Sequence, residues 1–275
     1  AVITGAGVNY TGTVRKQFKI VKEFINLEDN EKLTITGLSD QVYAFGKALT
    51  PDFTLKYDGS NMAVRTDYTY EFSDNTNAGT ATLTITGVGK YVGSREFTFK
   101  IQKYDISNDV LVLDTDNVEY TGQEIKPAPA AIQIDGVSRN NSFDGFKIDY
   151  GNNINAGTGK ITVTAGATGN YTGSITKTFT INPAKQEIQK LTAKSKAFFV
   201  DWAQKGSATG YELQYATNSK FTSAKKVTIT NNKTDKTTVS KLSGNKKYYV
   251  RVRSYTAVNG TKYYGAWSAS KSVDR

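Results

Sequence analysis

The chain has 275 residues, 35 Lys or Arg against 25 Asp or Glu, 24 Gly, 17 Tyr, one Met, and neither Cys nor His. The absence of His excludes Ser-His-Asp and Cys-His catalysis, His-ligated metals and His-based pH switching within these residues. The absence of Cys argues against a small disulfide-stapled animal domain, and no apolar run approaches the roughly 20 residues that span a bilayer.

Val2-Ile3-Thr4 and Val14 to Val21 flank a Gly-containing turn at Asn9-Tyr10-Thr11-Gly12, which predicts a hairpin over residues 1–23. Residues 24–103 read as a module of short strands: Leu33-Thr34-Ile35-Thr36, Val42 to Lys47, Phe53 to Tyr57 before an Asp58-Gly59 turn, then Tyr68 to Phe72. The module closes on Asn77-Ala78-Gly79-Thr80, Thr84-Ile85-Thr86, Tyr91, Gly93, Phe99 and Ile101.

Residues 104–183 repeat this plan. Val118 to Gly122, Ala131 to Ile134, the Asp135-Gly136 turn and Phe146 to Tyr150 lead to a second Asn155-Ala156-Gly157-Thr158. Thr162-Val163-Thr164, Tyr171, Gly173, Phe179 and Ile181 then follow. The displacement is 78 residues from Asn77 to Asn155 and 80 from Tyr91 to Tyr171, so the second copy has two extra residues in its turn. A truncated copy opens the chain with Ile3-Thr4-Gly5, Tyr10, Gly12, Phe18 and Ile20. Repetition at a domain-sized period indicates an array of modules. Because Ala1 falls inside a repeat, the chain is expected to be a fragment, with any export signal or anchor outside it.

In both full copies the alternating run places Ile85 and Val163 toward a core and their Thr neighbours away from it. Gly79 and Gly157 suit positive-φ turns, and Tyr91 and Tyr171 are read as caps on the core. Gly5-Ala6-Gly7 and Gly87-Val88-Gly89 lie between strands with no helix following, so they are not phosphate loops.

This repeated stretch resembles the bacterial immunoglobulin-like repeats of Gram-positive surface proteins. Asn170-Tyr171-Thr172-Gly173 matches their signature fully, and Lys90-Tyr91-Val92-Gly93 departs from it at two positions. The resemblance covers residues 1–183 and implies spacer or interaction modules.

Past Ile181-Asn182-Pro183-Ala184, a junction short enough to hold neighbours close, the plan changes. Phe198, Val200 and Trp202 share one face of a strand. Tyr211, Leu213 and Tyr215 point inward on the next, with Glu212 and Gln214 outward. Leu242, Tyr248, Val250 and Val252 form a further inward series, with Tyr249, Arg251, Arg253 and Tyr255 opposite. Asn259-Gly260 signals a hairpin before Tyr263-Tyr264 and Ala266-Trp267-Ser268. Residues 184–275 resemble a fibronectin type III domain. On that likeness Trp202 is the core Trp of the second strand, and Leu242 and Tyr248 are the pair preceding the sixth strand. No Arg-Gly-Asp occurs.

The expected fold is therefore all-β, with tandem immunoglobulin-like β-sandwich modules ending in a fibronectin type III sandwich. Its segments are 1–23 (the end of a preceding repeat), 24–103, 104–183 and 184–275.

Charge is uneven along this plan. Residues 184–275 hold 18 Lys or Arg against 5 Asp or Glu, while residues 1–183 hold 17 against 20. A basic last module favours polyanions such as wall polymers, acidic glycans or nucleic acid, and equally suits a solvated Lys-rich surface. The aromatic and cationic set Tyr249, Arg251, Arg253, Tyr255, Tyr263 and Trp267, with Tyr264 and Lys262 beside it, is the candidate ligand site. Rings and guanidiniums stack on sugars or bind anionic glycans, and the same pairs also stabilise an exposed sheet face.

Glu28-Asp29-Asn30-Glu31 and Asp114-Thr115-Asp116-Asn117 carry hard oxygen ligands, but neither is followed by a Gly-containing calcium loop with a closing Glu, and both read as solvated loops. No spacing singles out a glycosidase carboxylate pair.

These features lead to the expectation of a non-catalytic spacer or adhesion segment of an exported bacterial cell-surface protein. It should be extracellular, monomeric and free of cofactor or metal. A cell-wall polymer, glycan or host surface protein is its expected partner, with no specific nucleic acid and no membrane span. The alternative is the accessory region of a secreted carbohydrate-active or wall-lytic enzyme.

Overall fold

The computed structural model describes residues 2–5, 12–17 and 23–274, all in strands, turns and irregular segments without a helix. It divides into two compact units, residues 1–104 and 105–275. The opening hairpin pairs Val2–Gly5 with Gly12–Arg15. Its predicted turn residues Asn9, Tyr10 and Thr11, with Ala6, Gly7, Phe18, Ile20 and Val21, lie outside the described residues.

In the first unit Gly79–Gly87 pairs on one side with Ser94–Gln102 and on the other with Tyr68–Ser73. A second sheet carries Leu33–Thr36, Thr54–Tyr57 and Ser60–Asn61. Leu33, Leu55, Leu83, Ile85 and Tyr91 fill the space between them. Ile85 lies in the core and Tyr91 is buried there with it.

The second unit begins with the same plan. Gly157–Thr164 lies between Ser174–Asn182 and Lys147–Gly151, facing a sheet of Val110–Leu113, Pro129–Ile134 and Val137–Asn140. Val163 and Ile161 are fully buried. Residues 184–274 then add two sheets. One is Ile188–Lys194, Ala197–Trp202 and Lys236–Ser240. The other is Lys225–Ile229, Gly210–Ala216, Lys247–Val258 and Thr261–Tyr264, with Lys271–Asp274 also on Lys247–Val258. Trp202, Tyr211, Phe198, Leu213, Val250 and Val252 form the core between them. Tyr248 caps this core, and its hydroxyl accepts from the Ser243 N–H at 3.2 Å.

Three hairpins turn on two residues at positive φ: Asp58-Gly59, Asp135-Gly136 and Asn259-Gly260. Both central positions are left-handed, as a type I′ turn requires, and this matches the twist of the flanking strands.

A short strand in the first half of each repeat runs parallel to its closing strand. Gln41-Val42 pairs with Ile101-Gln102, and Asn117–Glu119 pairs with Thr180–Asn182. The repeated glycine of the Tyr-x-Gly motif also has a physical cause. Gly93 and Gly173 sit at φ of 80° and 85°. A Cβ on Gly93 would strike the Asn26 side chain, and one on Gly173 would strike Asp105 and Ser107. Those side chains are turn-formers: Asn26 Oδ1 accepts from the Glu28 N–H at 3.1 Å, and Asp105 Oδ1 from the Ser107 N–H at 2.9 Å. The Ser107 hydroxyl also donates to Asp105, and these hydrogen bonds hold the Asp105 carboxyl below the ordinary carboxylate range.

Gly173→Ala is therefore expected to destabilise the second unit by at least about 1–2 kcal/mol, the cost of a left-handed backbone at a residue with a Cβ. Urea unfolding measures this, and an unchanged midpoint would refute the account.

Candidate functional site

The predicted ligand residues gather on the outer face of the five-stranded sheet of residues 184–274. Lys247–Val258 is the central strand, and its register sets Arg253 opposite Glu212 and Arg251 opposite Gln214. Those pairs bond directly: Arg253 Nη2 donates to Glu212 Oε1 at 2.9 Å, and Arg251 Nε to Gln214 Oε1 at 2.7 Å. Lys226 Nζ adds a second cation 3.7 Å from the same Glu212 oxygen.

Rings interleave with the guanidiniums. Arg251 lies 4.1 Å from the Phe221 ring centroid and 4.5 Å from that of Trp267. Arg253 lies 4.3 Å from Trp267 and 3.8 Å from Tyr264. The contacts thus run Phe221, Arg251, Trp267, Arg253, Tyr264, each of a kind worth about 0.5–2 kcal/mol depending on desolvation. Burial first, then the neighbouring Arg253, lowers the Arg251 guanidinium from its ordinary value. It stays charged, because an arginine starts far above neutral pH.

Two expectations of exposure need correction. Glu212 was placed outward, yet it is only 7% exposed. It does sit on the outer face, but Arg253 and Lys226 cover it. Tyr255 shares the strand face of Tyr249, Arg251 and Arg253 but is 3% exposed. It lies opposite Gly210, where an added Cβ would stand 2.8 Å from its hydroxyl. Lys262 Nζ covers its ring at 4.3 Å. With no side chain at position 210, the ring folds flat over the strand instead of into solvent.

Tyr249 is half-buried, opposite Ala216 and Ser272. Tyr263 faces the preceding sandwich, its hydroxyl 2.6 Å from Thr158 Oγ1. Arg251, Arg253 and Trp267 are thus brought together, while Tyr255 and Tyr263 are engaged elsewhere. Phe221 also belongs to the cluster, joining it from the loop between Gly210–Ala216 and Lys225–Ile229, with no local spacing to mark it.

The contact at Tyr263 is one of several fastening residues 105–183 to residues 184–274. The Lys185 N–H donates to Glu119 Oε1 across the junction at 3.1 Å, while the Ser254 hydroxyl, donating to the Ala184 carbonyl at 2.8 Å, ties the first residue after the junction to the last sandwich. A Cβ on Gly265 would stand 2.5 Å from the Pro183 carbonyl, so that position admits no side chain. Beside this joint, Asn152 to Thr158 and Val258 line a cleft of about 400 Å³.

Among the described residues no group of three or more Asp or Glu converges as a metal site. In the second acidic stretch, Asp116 pairs with Lys177 at 3.2 Å. Lysine is not among the buried polar residues, so no buried Lys–Asn–acid set for an isopeptide bond is present among the described residues.

Residues 182–270 match the family model described as Fibronectin type III domain. A search of curated proteins finds no match. Among solved structures, the chain is similar to the FN1-FN3 domains of chicken CNTN1, at 11% identity and a TM-score of 0.30, covering 80% of this chain and 92% of that one. It is also similar to a two-domain fibronectin type III segment of chicken tenascin, at 13% identity and a TM-score of 0.36, covering 76% and 99%. An FN3 domain of human collagen XX matches at 13% identity and a TM-score of 0.26, covering 33% and 91%. The protein is all-β, built of tandem β-sandwich modules, and the last of them is a fibronectin type III sandwich.

Proposed function

We propose that these residues are a non-catalytic spacer and adhesion segment of an exported bacterial cell-surface protein, extracellular and monomeric. In this reading the fastened sandwiches hold the basic last module out toward an anionic cell-wall polymer or glycan. The observation that carries the proposal is the joint of the second unit. Two contacts cross it, Tyr263 with Thr158 and Lys185 with Glu119, and Ser254 holds the Ala184 carbonyl of the linker against the last module. A spacer needs linkers that do not fold back, and a linker bonded on both sides meets that need better than a free Gly/Ser tether.

Two further observations support the reading. The same sandwich plan is used twice before the fibronectin type III module. The excess of Lys and Arg lies wholly in residues 184–275.

¹⁵N relaxation on the full chain tests this proposal. Residues 105–183 and 184–274 should share one rotational correlation time. A Thr158→Ala/Glu119→Ala variant, which removes both crossing contacts, should separate them. Independent tumbling in the unmodified chain would overturn the spacer reading.

A further inference from the structure

A second cleft, of about 250 Å³, opens at one end of the fibronectin type III module between the loops following Ala216 and Ser240. Lys225, Lys241 and Lys246 line it, together with Ser223, Tyr215 and Tyr248, and no acidic residue does. Their chain neighbours are paired: Lys226 with Glu212 and Lys247 with Asp274. Lys225, Lys241 and Lys246 take part in no ion pair among the described residues. Three exposed lysines line one concavity with no acidic residue among them, so a bound anion would meet their charge without an internal competitor.

The walls are built in advance. Asn218 bonds Thr222 twice, its amide donating to the Thr222 carbonyl and its Oδ1 accepting from the Thr222 N–H, both at 3.1 Å. Phe221 and Ser223 hold left-handed backbone at φ of 56° and 54°, and Lys241 and Asn245 do so at 60° and 53° in the opposite loop. Non-glycine residues in that region carry strain that the surrounding structure must hold. Arg251 stacked on Phe221 fixes the first loop, and Tyr248 bonded to Ser243 fixes the second.

Tyr215 supplies a hydroxyl that bonds to none of the described residues. Its ring is already packed edge-on against Phe198, 5.6 Å between centroids, and 6.4 Å from Tyr248. The cleft therefore offers charge and hydroxyls, not an open aromatic platform. A nucleic-acid strand asks for such a platform along a groove following several phosphates. A short concavity with cations at its rim suits one anionic sugar.

We propose that this cleft binds a single anionic sugar unit. Its carboxylate or phosphate would be held by Lys225, Lys241 and Lys246, and its hydroxyls by Tyr215 and Ser223. This rests on, and narrows, the reading of the last module as the face presented to an anionic glycan.

The test is a ¹H–¹⁵N titration of the full chain with glucuronate, glucose 6-phosphate, inorganic phosphate and glucose, followed by heparin. Saturable shifts confined to residues 215–225 and 241–248 are expected with both anionic sugars. Inorganic phosphate should bind more weakly and glucose should leave the spectrum unchanged. Tighter binding of glucuronate would assign the site to uronate glycans, and tighter binding of glucose 6-phosphate to phosphate-bearing polymers. Either outcome supports the proposal.

Lys225→Gln/Lys246→Gln should weaken binding about tenfold at low salt, while Lys190→Gln/Lys233→Gln, which removes the same charge elsewhere, should change it less than about twofold. An otherwise unchanged spectrum shows that the variants fold. Equal loss in the two variants, or shifts mapping elsewhere, would overturn the cleft even where heparin still binds. Absence of any shift with the sugars and with heparin would overturn the broader reading as well.

Discussion

Trp202→Ala will cost residues 184–275 about 3–5 kcal/mol, the usual penalty for truncating a large buried aromatic. Trp202 is 1% exposed, and its ring centroid lies 5.4 Å from that of Tyr211. It belongs to the same core cluster as Ile188, Phe198 and Leu213, so truncation opens a void touched from both sheets. The readout is selective, because the two Trp of the chain, at positions 202 and 267, both lie in this module. In the variant, Trp267 fluorescence alone follows its unfolding in urea. Residues 24–104 should melt where they did before, because modules in an array couple mainly through immediate neighbours. Residues 105–183 lose the Tyr263 and Lys185 contacts when the last module opens, so their transition should shift part of the way. A variant with an unchanged midpoint would show that Trp202 does not hold the two sheets together.

Arg253→Ala is expected to cost about 3 kcal/mol, in the range found when one partner of a buried ion pair is removed. The change leaves the Glu212 carboxylate under the sheet's outer cover with only Lys226 near it, and takes the guanidinium from between Trp267 and Tyr264. Because the pair is largely shielded, added salt should reduce the loss only slightly. Arg253→Met with Glu212→Gln should recover much of it, since the stem still covers the rings and no unpaired charge remains. Trp267 emission and urea midpoints measure both variants. A loss below about 0.5 kcal/mol would class the pair with exposed surface bridges instead.

The strands were largely legible in the sequence because their cause is local. Thr-Ile-Thr and Thr-Val-Thr alternate, and Ile85 and Val163 fall in the cores. The Asp-Gly and Asn-Gly pairs mark two-residue turns because both positions must accept positive φ. What alternation cannot reveal is whether the second face of a sheet is itself covered. Glu212 and Tyr255 were assigned the correct faces and yet are buried, because Arg253 crosses from one neighbouring strand and Gly210 leaves room on another. The basic excess of residues 184–275 was equally plain in the composition. Which lysines converge depends on two loops some twenty residues apart in the chain, and no spacing within either loop signals it.

The parallel pairing of an early strand with the closing strand of each repeat bears on load. Tension along the chain reaches this pair after Tyr104–Asp105 and Val110–Leu113, which precede it, and then draws Asn117–Glu119 backward and Thr180–Asn182 forward. Because those segments run side by side in the same direction, tension slides them past each other and strains every rung at once. The Asp116 carbonyl to Thr180 N–H bond and the Asn182 carbonyl to Tyr120 N–H bond, each 2.8 Å, bracket that patch and would have to give way together. An antiparallel hairpin pulled at its two open ends would instead peel one bond at a time. A chain under tension along its length therefore meets this patch in shear, not in peeling.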